Sequence, residues 1–190
     1  SCPTPGAVIR FTTNGSPPTE TSGFVYTNAL PITASRVIRA AAFRSNTLPS
    51  SVATHTYLLG QPSTRLRLPA LSLVTDTNHL YGRTGIMEVS PRNTTKRGAA
   101  WERPVSAEFI RVDDNGGFQV DCGLRLQGGD YVRGQYNYRS TQLPFSKYSF
   151  RLYFRGEYGQ GRLDYPLFPE TTQTSFDTVV LRAGMNDVSR

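Results

Sequence analysis

The chain has 190 residues, a formal net charge of +7 and 37% hydrophobic residues, which suits one large domain or two small ones with an ordinary core. No run approaches the roughly 18 apolar residues of a membrane helix, so no membrane insertion is expected. The basic excess is spread along the chain without a basic run, and no recognition element accompanies it; no nucleic-acid partner is expected.

Two cysteines, Cys2 and Cys122, and two histidines, His55 and His79, lie too far apart in sequence to suggest a metal site. Cys122 falls on the apolar side of a strand pattern, which predicts a buried free thiol rather than a bridge. The chain opens on Ser1-Cys2 with neither an initiator methionine nor a signal peptide, and reads as a processed or excised piece.

Strand and turn signals fill the first block. In "AVIRFTTNGSPPT" Ile9, Phe11 and Thr13 alternate with Arg10 and Thr12, and "NGSPP" is a turn with strong breakers. "GFVYTNALPIT", "RVIRAAAF" and "SSVATHTYLL" follow at about ten-residue spacing, as in a small β-sandwich. The carriers "FTTNGSPPT", "YTNALPIT", "IRAAAF" and "SVATHTY" resemble, over residues 5 to 58, the chitobiase/β-hexosaminidase C-terminal type of immunoglobulin-like module. Such modules are appended to extracellular enzymes and surface proteins, so the resemblance implies a secreted or cell-surface address. A spacer role is favoured over carbohydrate binding, because Phe24, Tyr26 and Tyr57 suit a core as well as a sugar platform.

"LLGQPSTRLR" reads as a linker, dividing a sandwich at 1–60 from a second block at 61–190. "LPALSLVTD" is a strand, and "TNHLYGRTGIM" holds one helical turn. In "WERP" Trp101 is expected to bury and Glu102 to pair with Arg103, with Lys147 as the alternative partner. "VSAEFIRV" and "GFQVDCGLRLQ" are strands joined at "DDNGG", which reads as a hairpin turn rather than a calcium loop because spaced ligands and a terminal Glu are lacking. In the second of these strands Phe118, Val120, Cys122, Leu124 and Leu126 face one way; Gln119, Asp121, Gly123, Arg125 and Gln127 face the other.

Gly128-Gly129 ends that strand, a polar loop follows, and "FSKYSFRLYF" alternates again. It puts Tyr148, Phe150, Leu152 and Phe154 on one face, Lys147, Ser149, Arg151 and Tyr153 on the other. Lys96 and Lys147 are the only lysines among 21 basic residues. Lys147 is either a solvated strand residue or a compact charge placed for phosphate. If the two strands pair, Arg125, Lys147 and Arg151 come together, and like charges held close call for an anion. A double glycine lets backbone N–H groups approach that anion.

The blocks "LPALSLVTD", "GIM", "WERPVSAEFI", "FQVDCGLRLQGG", "KYSFRLYFRGEYGQGRLDYPLF" and "FDTVVLRAGMND" follow in an order that resembles the CotH family of spore-coat-type atypical protein kinases, from about Leu68 to Asp187. The resemblance implies a mainly β fold: a small immunoglobulin-like β-sandwich, then the β-rich N-terminal-lobe-like half of a kinase-like fold. It gives Lys147 the phosphate-contacting role and Gly128 and Gly129 the loop role, with Arg125 and Arg151 beside them.

It also implies ATP and Mg²⁺ as cofactors and a protein substrate in a full-length protein, with the metal-holding carboxylates in a further lobe. No catalytic residue, metal ligand or turnover is expected of these 190 residues alone. Asp130 departs from the family's loop, where a serine and an arginine are usual, and an acid beside phosphates is unfavourable. Arg182, Asn186 and Asp187 are read as capping a helix start. The alternative is a non-enzymatic surface or adhesion scaffold built from β modules, with cell-surface or matrix components as partners.

Ile9, Phe11, Ile38, Ala40, Leu71, Leu73, Trp101, Val120, Leu124, Phe150, Leu152 and Val180 are the expected buried set. Asn93-Thr94-Thr95 matches a glycosylation acceptor; Asn14-Gly15-Ser16 does too, but is followed by Pro17.

Overall fold

The computed structural model describes residues 1–65, 67–88, 91–111, 116–128 and 148–183. Among them the protein is mainly β. Helix is confined to one four-residue turn, α1 (Thr77–Leu80), and two three-residue 3-10 turns, Asn93–Thr95 and Ala99–Trp101. Strand β1 (Val8–Thr12) pairs antiparallel with β2 (Phe24–Val25) and β3 (Arg36–Phe43), and β3 pairs with β4 (Ala53–Tyr57), giving a sheet of order β2-β1-β3-β4. A five-stranded sheet holds β5 (Ala70–Val74), β6 (Arg103–Ile110), β7 (Gly117–Gln127), β8 (Ser149–Tyr153) and β11 (Thr178–Leu181), in the order β11-β8-β7-β6-β5. The short pair β9 (Leu163–Asp164) and β10 (Ser175–Phe176) stands apart.

The two larger sheets are separate between Tyr57 and Ala70, but the compact units do not divide there. One unit comprises 1–76 with 106–119, the other 77–105 with 120–190. In the first unit β5 and β6 supply the second layer over the four-stranded sheet. Thr56 Oγ1 donates to Ser72 Oγ at 2.7 Å, the edge-strand N–H of Thr56 donates to Glu108 Oε2 at 2.6 Å, and Ser16 Oγ donates to Asp76 Oδ2 at 2.7 Å.

This seam corrects the expected buried set. Thr12, Ala41 and Thr54 are buried, whereas Ile9, Phe11, Ile38 and Ala40 on the opposite face of the same sheet are half-buried. The buried face is polar yet satisfied. Arg39 donates to Thr54 Oγ1 and to the Gly15 carbonyl, and Thr12 Oγ1 donates to the carbonyl of Ser16. Leu71 and Leu73 are half-buried for the same reason: Ser72 and Val74 occupy the seam side of β5.

β6 and β7 are neighbours in the sheet, and the residues flanking 112–115, which lie outside the described residues, are bonded across. Arg111 donates its N–H to the Gly116 carbonyl, and Phe109 stacks on Phe118 at 5.6 Å. Gly117 sits at φ 147°, where a Cβ would meet the Phe109 carbonyl oxygen at 1.9 Å, so a side chain cannot be placed there. Asp113 and Asp114 lie outside the described residues.

The second unit has most of the apolar core the alternation predicts, although Phe150, expected to be buried, is half-buried. Val120, Cys122, Leu124 and Leu126 are buried along one face of β7, and Leu124 and Leu126 pair with Leu152 and Phe150 of β8. Val179 of β11 pairs with Leu152, so Val180 falls on the other face and is 40% exposed, contrary to expectation. A one-residue step in a strand exchanges its faces. Trp101 is half-buried rather than buried, at the end of the 3-10 turn that precedes β6, with the Arg103 guanidinium 5.3 Å from its ring centroid.

Candidate functional site

The polar face of the second unit's sheet is built by β7 and β8. Antiparallel pairing sets Gly123 against Tyr153, Arg125 against Arg151 and Gln127 against Ser149. The two arginines are therefore directly opposed, as the alternation implies. Among the described residues the buried Nε–H groups of Arg125 and Arg151 have no hydrogen-bond partner, nor has the buried hydroxyl of Tyr153. The Arg125 guanidinium lies 4.8 Å from the Tyr153 ring centroid and that of Arg155 lies 5.2 Å from it, within cation–π range. Gly128 follows β7 directly at φ 130°, a conformation that favours glycine. Gly129, Lys147 and Asp130 lie outside the described residues, as do Asn186 and Asp187.

A second cluster was not expected from the sequence. The side chain of Glu102 is only 1% exposed, and its partner is Arg155 rather than Arg103. Arg155 Nε donates to Oε2 and Arg155 NH2 to Oε1, each at 3.1 Å, in the two-pronged geometry a guanidinium offers a carboxylate. The Tyr158 hydroxyl donates to Oε2 at 3.4 Å. Arg103 points elsewhere, donating to the carbonyls of Thr84, Ala100 and Glu102.

The cluster lies over Gly123, where an added Cβ would stand 2.6 Å from Tyr158 Cε2 and 3.1 Å from Glu102 Oε2. Contact with Glu102 raises the pKa of Arg155, and burial beside Glu102 pushes Tyr158 up to about 12, so both stay protonated at neutral pH. Two signals pointed here. Arg155 continues the period-two series Arg151, Tyr153, and Gly123 is the bare position on a strand whose polar face otherwise carries side chains.

Cys122 is fully buried on the core side of β7, and burial, reinforced by Asp121, pushes its thiol up to about 12. It is an inert core group rather than a nucleophile. Asn93 is also buried; its amide donates to the carbonyls of Arg83 and Gly85, so the acceptor motif there is structural in the folded protein. No group of three or more metal-ligating side chains occurs among the described residues.

Fold and site together define a mainly β protein with a layered first unit and a sheet face in the second that opposes two arginines. The model of the chitobiase/beta-hexosaminidase C-terminal domain family matches residues 1–54, so this segment is similar to that domain. No curated protein and no solved structure matches the chain.

Proposed function

We propose that the second unit is the phosphate-holding, β-rich half of a CotH-like protein kinase, carried behind a chitobiase C-terminal-like module in a secreted or cell-surface protein. In the full-length protein the activity is ATP-dependent phosphoryl transfer to protein hydroxyls. Mg²⁺ is held there by carboxylates of a further lobe, and the 190 residues alone are inactive. The observation that carries this reading is the direct opposition of Arg125 and Arg151 beside the rim glycine Gly128.

Like charges facing each other across a ladder are unfavourable until an anion joins them, and a nucleotide phosphate is such an anion. In this reading Lys147 and Gly129 complete the clamp. Lysine suits the task because its three donors turn around one point charge. The test is Lys147→Met in the full-length protein. Phosphoryl transfer is expected to vanish while the melting temperature stays nearly unchanged; transfer at the wild-type rate refutes the reading.

One observation favours a second reading. The Arg125 guanidinium rests on Tyr153, and arginines stacked on aromatic rings also serve purely structural sheets. The second unit would then be a scaffold in a non-enzymatic adhesion protein. Full-length protein that folds but neither binds nucleotide nor transfers phosphate selects it.

A further inference from the structure

We infer that Arg125, Arg151 and Tyr153 form a three-donor site for a phosphate group, and that it binds inorganic phosphate without nucleotide or metal. The inference rests on the proposed function only in placing an anion on this face; it adds the third donor, Tyr153, and the class of anion.

Three facts converge. Arg125 and Arg151 are cross-strand partners, and Tyr153 lies two residues along the same strand from Arg151, so all three side chains leave the sheet on one face. Tyr153 is 6% exposed, and its hydroxyl has no partner among the described residues. The Nε–H groups of both arginines are buried and equally unpartnered. A buried donor left unpaired costs about 1–3 kcal/mol, and three on one face make a site that gains by accepting an anion.

The adjoining arginine is already committed. Arg155 gives both prongs to Glu102, which keeps that carboxylate from supplying the missing acceptor.

The ligand class follows from charge and shape. Two guanidiniums match the roughly −1.5 to −2 charge of a phosphate group at neutral pH, whereas a carboxylate leaves one positive charge uncompensated. A carboxylate is also satisfied in one plane by a single guanidinium fork. Donors from two strands and from successive positions on one of them suit oxygens arranged tetrahedrally. The phosphate could come free or as part of a nucleotide, and the experiment separates the two.

The test is titration of the 190-residue protein with inorganic phosphate, with acetate at equal ionic strength and with ATP free of Mg²⁺. The Arg Nε–H resonances are followed by ¹H–¹⁵N NMR. Arg125 and Arg151 signals are expected to move together and saturate with phosphate and not with acetate. Tyr153→Phe, which keeps the ring, is expected to weaken phosphate about tenfold, as the loss of one hydrogen bond to a charged group. Arg151→Gln is expected to abolish saturation yet melt no lower than wild type in phosphate-free buffer, because it removes the opposed charge.

Equal shifts in phosphate and acetate overturn the inference, as does an Arg151→Gln protein that saturates at the wild-type concentration. Saturation by ATP but not by inorganic phosphate also overturns it, and leaves the kinase reading standing. Saturation by phosphate with no transfer by the full-length protein sinks the kinase reading and leaves this site.

Discussion

A buried charge and its exposed partner are not equivalent targets, and Glu102 and Arg155 show why. Glu102 is almost wholly buried while the side chain of Arg155 is 46% exposed. Removing Arg155 strands a carboxylate away from water; removing the charge of Glu102 leaves a guanidinium that water can solvate. Arg155→Ala is therefore expected to lower the urea midpoint more than Glu102→Gln, and the reverse order would show that the pair is not what holds the cluster. Cys122 and Tyr158 make a second prediction at this scale. Each pKa is raised from its unfolded value, 9.0 or 10.0, to about 12. The fold thus favours the protonated form, and its contribution is complete below about pH 9. As pH climbs from there towards 12 the unfolded chain releases protons that the folded one retains, so stability falls. Cys122→Ala is expected to flatten that alkaline decline in denaturation measured at successive pH values. A slope unchanged from wild type would show that the thiol contributes nothing to it.

Strand β7 carries both the core and the polar face of the second unit, so its weak point tests the whole element. Gly123 is buried beneath Tyr158 and Glu102, and a Cβ there enters the space of both. Gly123→Ala is expected to cost about 1–3 kcal/mol by overpacking. Tyr158→Ala in the same chain should recover part of this, because the closest atoms belong to that ring. No recovery in the double variant would place the strain on Glu102 instead. This element was legible because its alternation is clean: Val120, Cys122, Leu124 and Leu126 bury as read, and the opposition of Arg125 to Arg151 follows once β8 is paired with it. Glu102 was not legible in the same way. Neighbours in sequence suggested Arg103, but successive residues of an extended chain point to opposite sides, and Arg155 reaches Glu102 from 53 residues away. Val180 was misread because two adjacent valines fit either face, and only pairing with Leu152 chooses Val179 for the core side. In β1 and β3 the apolar residues marked one face, yet Thr12, Ala41 and Thr54 on the other are covered more completely. Small and hydroxyl side chains pack closely and are satisfied locally, Thr12 by the Ser16 carbonyl and Thr54 by Arg39, a preference that hydrophobicity alone does not reveal.

At the scale of the molecule, residues 1–54 match a domain family, yet the unit that packs around them extends through residue 76 and takes in 106–119. The seam makes the difference. Thr56 bonds Ser72 through its hydroxyl and Glu108 through its backbone N–H, Ser16 bonds Asp76, and a Cβ at Gly15 would stand 2.9 Å from the Thr75 carbonyl oxygen. None of these partners lies within residues 1–60. Cutting there removes the partners of Thr56 and Ser16, among them the acceptor for the edge-strand N–H of Thr56. A chain of about 60 residues has little stability in reserve, because it buries only about 60% of the surface its unfolded form exposes. Residues 1–60 expressed alone are therefore expected to melt broadly and well below the first unit in the intact protein, as followed by circular dichroism. Glu108→Ala in the intact chain tests the same seam at one point. It leaves the Thr56 N–H unpaired and should cost about 1–3 kcal/mol. If residues 1–60 instead unfold cooperatively at the temperature of the intact protein, the four-stranded sheet is self-sufficient, and the layer supplied by β5 and β6 is a neighbour rather than half of its core.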